Sequence, residues 1–100
     1  MRRVVVRYRV KPERADENVE LVQRVFAELE RERPDGIRYM TLRLGGGVDF
    51  MHVAFVAAEQ NPLLALAAFR RFTEAIADRC SEPPVTMTAD IVGEYRLLAT

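Results

Sequence analysis

Hydrophobic residues in this chain change period from two to about 3.6 and back, twice, and that order of segments restricts the fold more than any single motif does. Arg3 to Val10 alternates strictly, with Val4, Val6, Tyr8 and Val10 on one side and Arg3, Val5, Arg7 and Arg9 on the other. Such alternation predicts a half-buried strand, ended by Lys11-Pro12. Asp16 to Arg33 then carries Val19, Val22, Phe26 and Leu29 at helical spacing, with Asp16 as the expected N-cap and Pro34-Asp35-Gly36 as the stop. Ile37 to Leu44 and Phe50 to Ala57 read as two strands joined by a Gly45-Gly46-Gly47 hairpin loop. Asn61-Pro62 is a cap followed by a favoured first helical residue, and predicts a helix running to about Arg79 or Cys80. Pro83-Pro84 ends it, and a fourth strand is expected from Val85 to about Leu97, with Gly93 at a bulge and Leu97 and Leu98 packed.

The order β-α-β-β-α-β in 100 residues leaves room for one core, so residues 1–100 are read as one domain. Two right-handed crossovers place both helices on one face of a four-stranded antiparallel sheet, with the first and third strands central: a ferredoxin-like α+β fold. The helices are expected to cover Val4, Val6, Tyr8, Met40, Leu42, Met51, Val53, Phe55, Met87, Ala89 and Ile91. The second face would then carry Val5, Arg7, Arg9, Tyr39, Thr41, Phe50, His52, Asp90 and Val92. That mixture of apolar and charged residues is expected to be covered by a second copy around a partly polar cavity.

Charge excludes some partners. Fifteen basic and fifteen acidic residues cancel, so no net field draws the protein to nucleic acid or an anionic membrane. The third strand, Phe50-Met51-His52-Val53-Ala54-Phe55, lacks the basic and glycine positions of an RNA-binding sheet. No apolar run approaches a membrane span, and Arg7 and Arg9 interrupt the apolar start, so a cytoplasmic location is expected. The single Cys80 cannot form an internal disulfide and falls on the apolar side of the second helix.

Candidate chemistry rests on few side chains. His52, the only histidine, and Tyr39 are the candidate catalytic pair. An imidazole can serve as a base near neutral pH, or it can be a structural residue hydrogen-bonded to a neighbour. Arg7, Arg9 and Asp90 are candidates for binding a substrate, or for pairing with one another across strands. One His and one Cys on different faces make no metal cluster, and Gly45-Gly46-Gly47 is not followed by the helix and Lys of a phosphate loop. No metal, haem or flavin is therefore expected.

Several short segments carry a resemblance. They are Val6-Arg7-Tyr8-Arg9-Val10-Lys11-Pro12-Glu13, the turn and strand Pro34-Asp35-Gly36-Ile37-Arg38-Tyr39, and the third-strand pattern. Together they resemble the antibiotic biosynthesis monooxygenase-like group of the dimeric α+β barrel superfamily. Asn61-Pro62-Leu63-Leu64 and Arg79-Cys80-Ser81-Glu82-Pro83-Pro84 resemble small bacterial members of it. The resemblance implies a homodimer with each cavity between the sheet and its covering helices or loops. Some members oxidise aromatic polyketides without metal or flavin and commonly use a Trp near the end of the third strand; this chain contains no Trp. Two functions follow as expectations: a cofactor-independent enzyme acting on a small hydrophobic or aromatic molecule, or a non-catalytic dimeric module that binds a ligand or a partner.

Overall fold

The computed structural model describes residues 1–97. Four strands, β1 (Arg2–Val10), β2 (Ile37–Leu44), β3 (Asp49–Val56) and β4 (Cys80–Thr88), form one sheet in the order β2-β3-β1-β4. All three pairings are antiparallel, and β1 and β3 are central as expected. One face is covered by α1 (Ala15–Glu32), α2 (Ala67–Thr73) and α3 (Ile76–Arg79), with 3-10 turns at Pro12–Arg14 and Pro62–Ala65.

Helix α1 begins at Ala15, one residue before the expected cap, directly after a turn opened by Pro12; Asp16 and Glu17 therefore sit in its first turn. Its buried stripe is Ala15, Asn18, Val22 and Val25. Arg33 adopts φ 47° and donates its N–H to the Leu29 carbonyl, and Pro34 prevents a further turn. Gly36 must be glycine: its φ is +83°, and a Cβ there would lie 2.8 Å from the Ala58 Cβ.

The second helical segment is not the continuous helix that its spacing predicts. Asn61 does cap, accepting the Leu63 N–H at 3.0 Å, but it caps a 3-10 turn. The chain extends at Leu66, re-enters α2, and breaks again at Glu74 and Ala75, where Ala75 takes a left-handed φ of 57°. The breaks let Leu63, Leu66 and Phe72 all turn inward. Carbonyls freed at the second break are taken by the Arg79 guanidinium, which donates to Phe72 O at 2.6 Å and Glu74 O at 3.4 Å.

Strand β4 starts five residues earlier than expected and contains Pro83-Pro84, which an edge strand accommodates where the register against β1 is irregular. Residues 89–97 lie outside the sheet, so Gly93 marks no bulge within it. Leu97 is exposed rather than packed, and Leu98 lies outside the described residues.

The largest correction concerns the two sheet faces. Strand β1 turns Val4, Val6, Tyr8 and Val10 toward the helices as expected, but its register with β3 sets Tyr8 opposite Phe50 and Val6 opposite His52. The helix-side rows are thus Tyr39–Ala54–Val4–Thr88 and Thr41–His52–Val6–Thr86. The open face carries Met40–Val53–Val5–Met87 and Leu42–Met51–Arg7–Val85. Met40, Leu42, Met51, Val53, Phe55 and Met87, expected under the helices, therefore lie on the open face, and Tyr39, Thr41, Phe50 and His52, expected on the open face, lie under the helices. On β3 both alternating sets are largely apolar, and patterning leans to Met51, Val53 and Phe55, the set that the structure turns outward.

Candidate functional site

A cavity of about 330 Å³ lies between the helix side of the sheet and the broken segment from Asn61 to Ile76. Its walls are apolar: Val4, Val6 and Ala54 from the central strands, and Leu63, Phe69, Phe72 and Ile76 from the helical pieces. Polar groups reach it from His52, Tyr8, Tyr39, Asn61, Thr73 and Thr86, and among the described residues no carboxylate, Lys or Arg lines it. Breaking the helical segment is what makes the space, because a continuous helix would carry one straight stripe across the sheet.

His52 stands in a closed ring of partners. The Tyr8 hydroxyl contacts its Nε2 at 2.8 Å; the Thr41 hydroxyl, at 3.0 Å, and the Tyr39 hydroxyl both contact its Nδ1. Behind Tyr8, the Asn18 amide donates to the Tyr8 hydroxyl at 2.9 Å, and Arg79 Nε donates to Asn18 Oδ1 at 3.3 Å. Asn18 and Arg79 are buried, at 0% and 2% exposure. The Phe72 ring packs 5.1 Å from the imidazole, and Phe26 stacks on Tyr39 at 5.0 Å.

This setting fixes the charge state. Burial lowers the His52 pKa to about 4 from 6.5, so the imidazole is neutral at physiological pH. Burial pushes the Tyr39 hydroxyl up to about 12, against a smaller opposing effect of its hydrogen bond with Thr41. Burial also raises the Tyr8 hydroxyl, which the Asn18 donor offsets only in part. The cavity therefore presents uncharged donors and acceptors on apolar walls, which suits a neutral polar group on an aromatic or hydrophobic molecule. The cause of His52's neutrality is desolvation.

Of the residues singled out from sequence, His52 and Tyr39 come together in this cavity. Arg7 and Arg9 do not: they project from the opposite face, because β1 alternates and His52 shares the side of Val6. Arg9 does pair across strands, but with Asp49 at 2.9 Å and Glu82 at 3.3 Å rather than with Asp90. Asp90 is exposed beyond the end of β4, away from the cavity. Sequence reasoning missed Tyr8 as a polar partner, and Asn18 and Arg79 altogether. Asn18 and Arg79 are 61 residues apart, and no local spacing joins them; the one available signal was an Asn inside the apolar stripe of α1. Cys80 is buried, and burial raises its thiol pKa. A wider, solvent-open groove of about 490 Å³ runs along α1 beyond Tyr39, and of the His52 partners only Tyr39 and Thr41 line it. Among the described residues no group of three or more His, Cys, Asp and Glu could hold a metal ion, and no helix is long and apolar enough to cross a membrane.

No protein-family model matches the sequence, and no curated protein matches it. Solved structures do match over nearly the whole chain. A candidate antibiotic biosynthesis monooxygenase from Bacteroides thetaiotaomicron superposes with a TM-score of 0.76 at 15% identity, covering 91% of this chain and 89% of that one. Another, from Nitrosomonas europaea, gives 0.72 at 17% identity over 91% and 89% of the two chains. A conserved protein from Methanosarcina mazei gives 0.70 at 16% identity over 88% and 89%. At these identities the likeness is one of architecture: the chain has the ferredoxin-like α+β fold of the antibiotic biosynthesis monooxygenase-like structures.

Proposed function

We propose that this chain forms a homodimer through its open sheet face, and that each protomer binds one small, uncharged aromatic molecule in the His52–Tyr39 cavity. The observation that carries the reading is the cavity itself: about 330 Å³, apolar walls, and a neutral polar cluster at one end, with no formal charge on its lining among the described residues. A molecule of two or three fused rings fits such a volume. The dimer is supported by the rows Met40–Val53–Val5–Met87 and Leu42–Met51–Arg7–Val85, in which Met40, Leu42, Val85 and Met87 are all exposed. A largely apolar sheet face of this kind calls for a cover.

Ala54→Leu places a larger side chain in the middle of the cavity floor, where Ala54 is buried. Binding of 2-naphthol, followed by fluorescence or by chemical-shift changes at His52, is expected in the parent protein and should weaken by about tenfold or more in Ala54→Leu with the fold retained. Equal binding by both proteins would overturn the assignment of the cavity.

Turnover is a second reading. It is favoured by the structural neighbours described as antibiotic biosynthesis monooxygenases, and by a tyrosine hydroxyl that lines the cavity and is backed by an imidazole. Oxygen uptake with anthrone, dependent on Tyr39 and without added cofactor, supports an enzyme; binding without uptake supports the ligand-binding module.

A further inference from the structure

The polar chain behind the cavity has a direction, and that direction can be read from its buried end. A guanidinium can only donate hydrogen bonds, so Arg79 Nε must meet an acceptor, and the atom 3.3 Å away is Asn18 Oδ1. With its oxygen so placed, Asn18 turns its amide N–H toward the Tyr8 hydroxyl at 2.9 Å. Tyr8 oxygen is thereby an acceptor. Among the described residues its own proton has one partner left, His52 Nε2 at 2.8 Å. If Nε2 carried a proton instead, Tyr8 would receive two donors and its O–H would be left unsatisfied in the core, which is the costlier arrangement. The other ring nitrogen imposes no such demand, because the Tyr39 and Thr41 hydroxyls at Nδ1 can rotate to accept or donate. The rigid end decides.

We propose that Arg79 and Asn18 are positioning residues that hold His52 in the Nδ1–H tautomer, so that the Tyr39 hydroxyl, accepting from Nδ1–H, offers its own proton to a molecule in the cavity. The preferred ligand class is then an aromatic ketone, quinone or other hydrogen-bond acceptor, rather than a molecule that can only donate. The ligand half of this inference rests on the cavity reading above; the tautomer half does not.

Two measurements test it separately. Nitrogen-15 spectra of the histidine ring in the ligand-free protein at neutral pH should show a protonated Nδ1 and an unprotonated Nε2. In Asn18→Asp the carboxylate, held by Arg79, accepts the Tyr8 proton; Tyr8 oxygen then accepts from Nε2–H, and the tautomer should reverse. A protonated Nε2 in the parent protein, or an unchanged tautomer in folded Asn18→Asp, overturns the assignment. The parent spectrum decides the tautomer even where the variant fails to fold. For the ligand half, 1-indanone only accepts and indole only donates, at similar size. The parent protein should bind 1-indanone about tenfold more tightly than indole, and Asn18→Asp should reverse that order. Tighter binding of indole by the parent overturns the donor assignment. Binding of neither compound overturns the ligand half and the cavity reading with it, an outcome the spectra of the free protein do not share.

Discussion

Acid should destabilise this protein through His52. The folded state holds the imidazole at a pKa of about 4 by burial, against an ordinary value of 6.5. Between those values the unfolded chain binds a proton that the folded chain refuses, so stability rises with pH across the window and is lost as pH falls through it. At 1.36 kcal/mol for each pH unit the gap corresponds to about 3 kcal/mol. That is a large share of the ~5–15 kcal/mol available to an ordinary domain. The hydrogen bonds give the same sign. An imidazolium would donate from both nitrogens, so the Tyr8 proton would lose its acceptor. The comparison that isolates the effect is His52→Gln, which keeps a polar side chain of similar reach but does not titrate. Urea unfolding followed by circular dichroism, at one fixed protein concentration and from neutral pH to about pH 4, gives both curves. The parent should lose about 3 kcal/mol more than the variant over that range, and the His52 ring protons should not titrate near 6.5. Superposable pH profiles for the two proteins would refute the reasoning.

Three further outcomes are expected. Ala75→Gly, at a left-handed φ of 57°, should stabilise the fold by about 0.5–1 kcal/mol, read from the urea midpoint, because the strain of a Cβ there outweighs the added chain entropy. Gly36→Ala should lower stability by at least about 1–2 kcal/mol in the same assay, since its Cβ would lie 2.8 Å from that of Ala58 at a positive φ. Val53→Glu, at the centre of the open sheet face, should convert a dimer into a monomer in sedimentation equilibrium while the far-ultraviolet spectrum keeps its shape; a parent protein that sediments as a monomer would remove the dimer.

The element order, the antiparallel sheet and its central strands were legible in the sequence because each rests on a local signal: alternation from Arg3 to Val10, the Gly45-Gly46 turn with two positive φ angles, the stop at Pro34. Face assignment was not legible. It depends on which of two sets is buried, and on β3 the choice lies between Phe50-His52-Ala54-Val56 and Met51-Val53-Phe55. Hydrophobicity favours the second set, which has no histidine. Register decides otherwise, because Tyr8 and Val10 are sealed under the helices and Phe50 is the residue opposite Tyr8. A sheet that is apolar on both sides is what a protein with two buried faces requires, so the feature that defeated the pattern is also the feature that supports a second copy.

The buried polar chain explains the other failure, the expectation of one continuous second helix. Arg79 is almost wholly buried, and among the described residues it forms no ion pair with a carboxylate. A charge in that position is costly unless its donors are met. Here they are met by Asn18 Oδ1, Phe72 O and Glu74 O, with the Phe72 ring 5.3 Å beneath the guanidinium. In an unbroken helix the Phe72 and Glu74 carbonyls would be spent on amides four residues on, leaving Arg79 with Asn18 Oδ1 alone. The break at Glu74 and Ala75 frees them, and the same break turns Phe72 inward beside His52. The left-handed Ala75, the buried arginine and the cavity wall are thus parts of one arrangement. Relaxing Ala75 with glycine should leave it intact, whereas Arg79→Met should strand the carbonyls, release Asn18 and free the direction of the His52 hydrogen bonds.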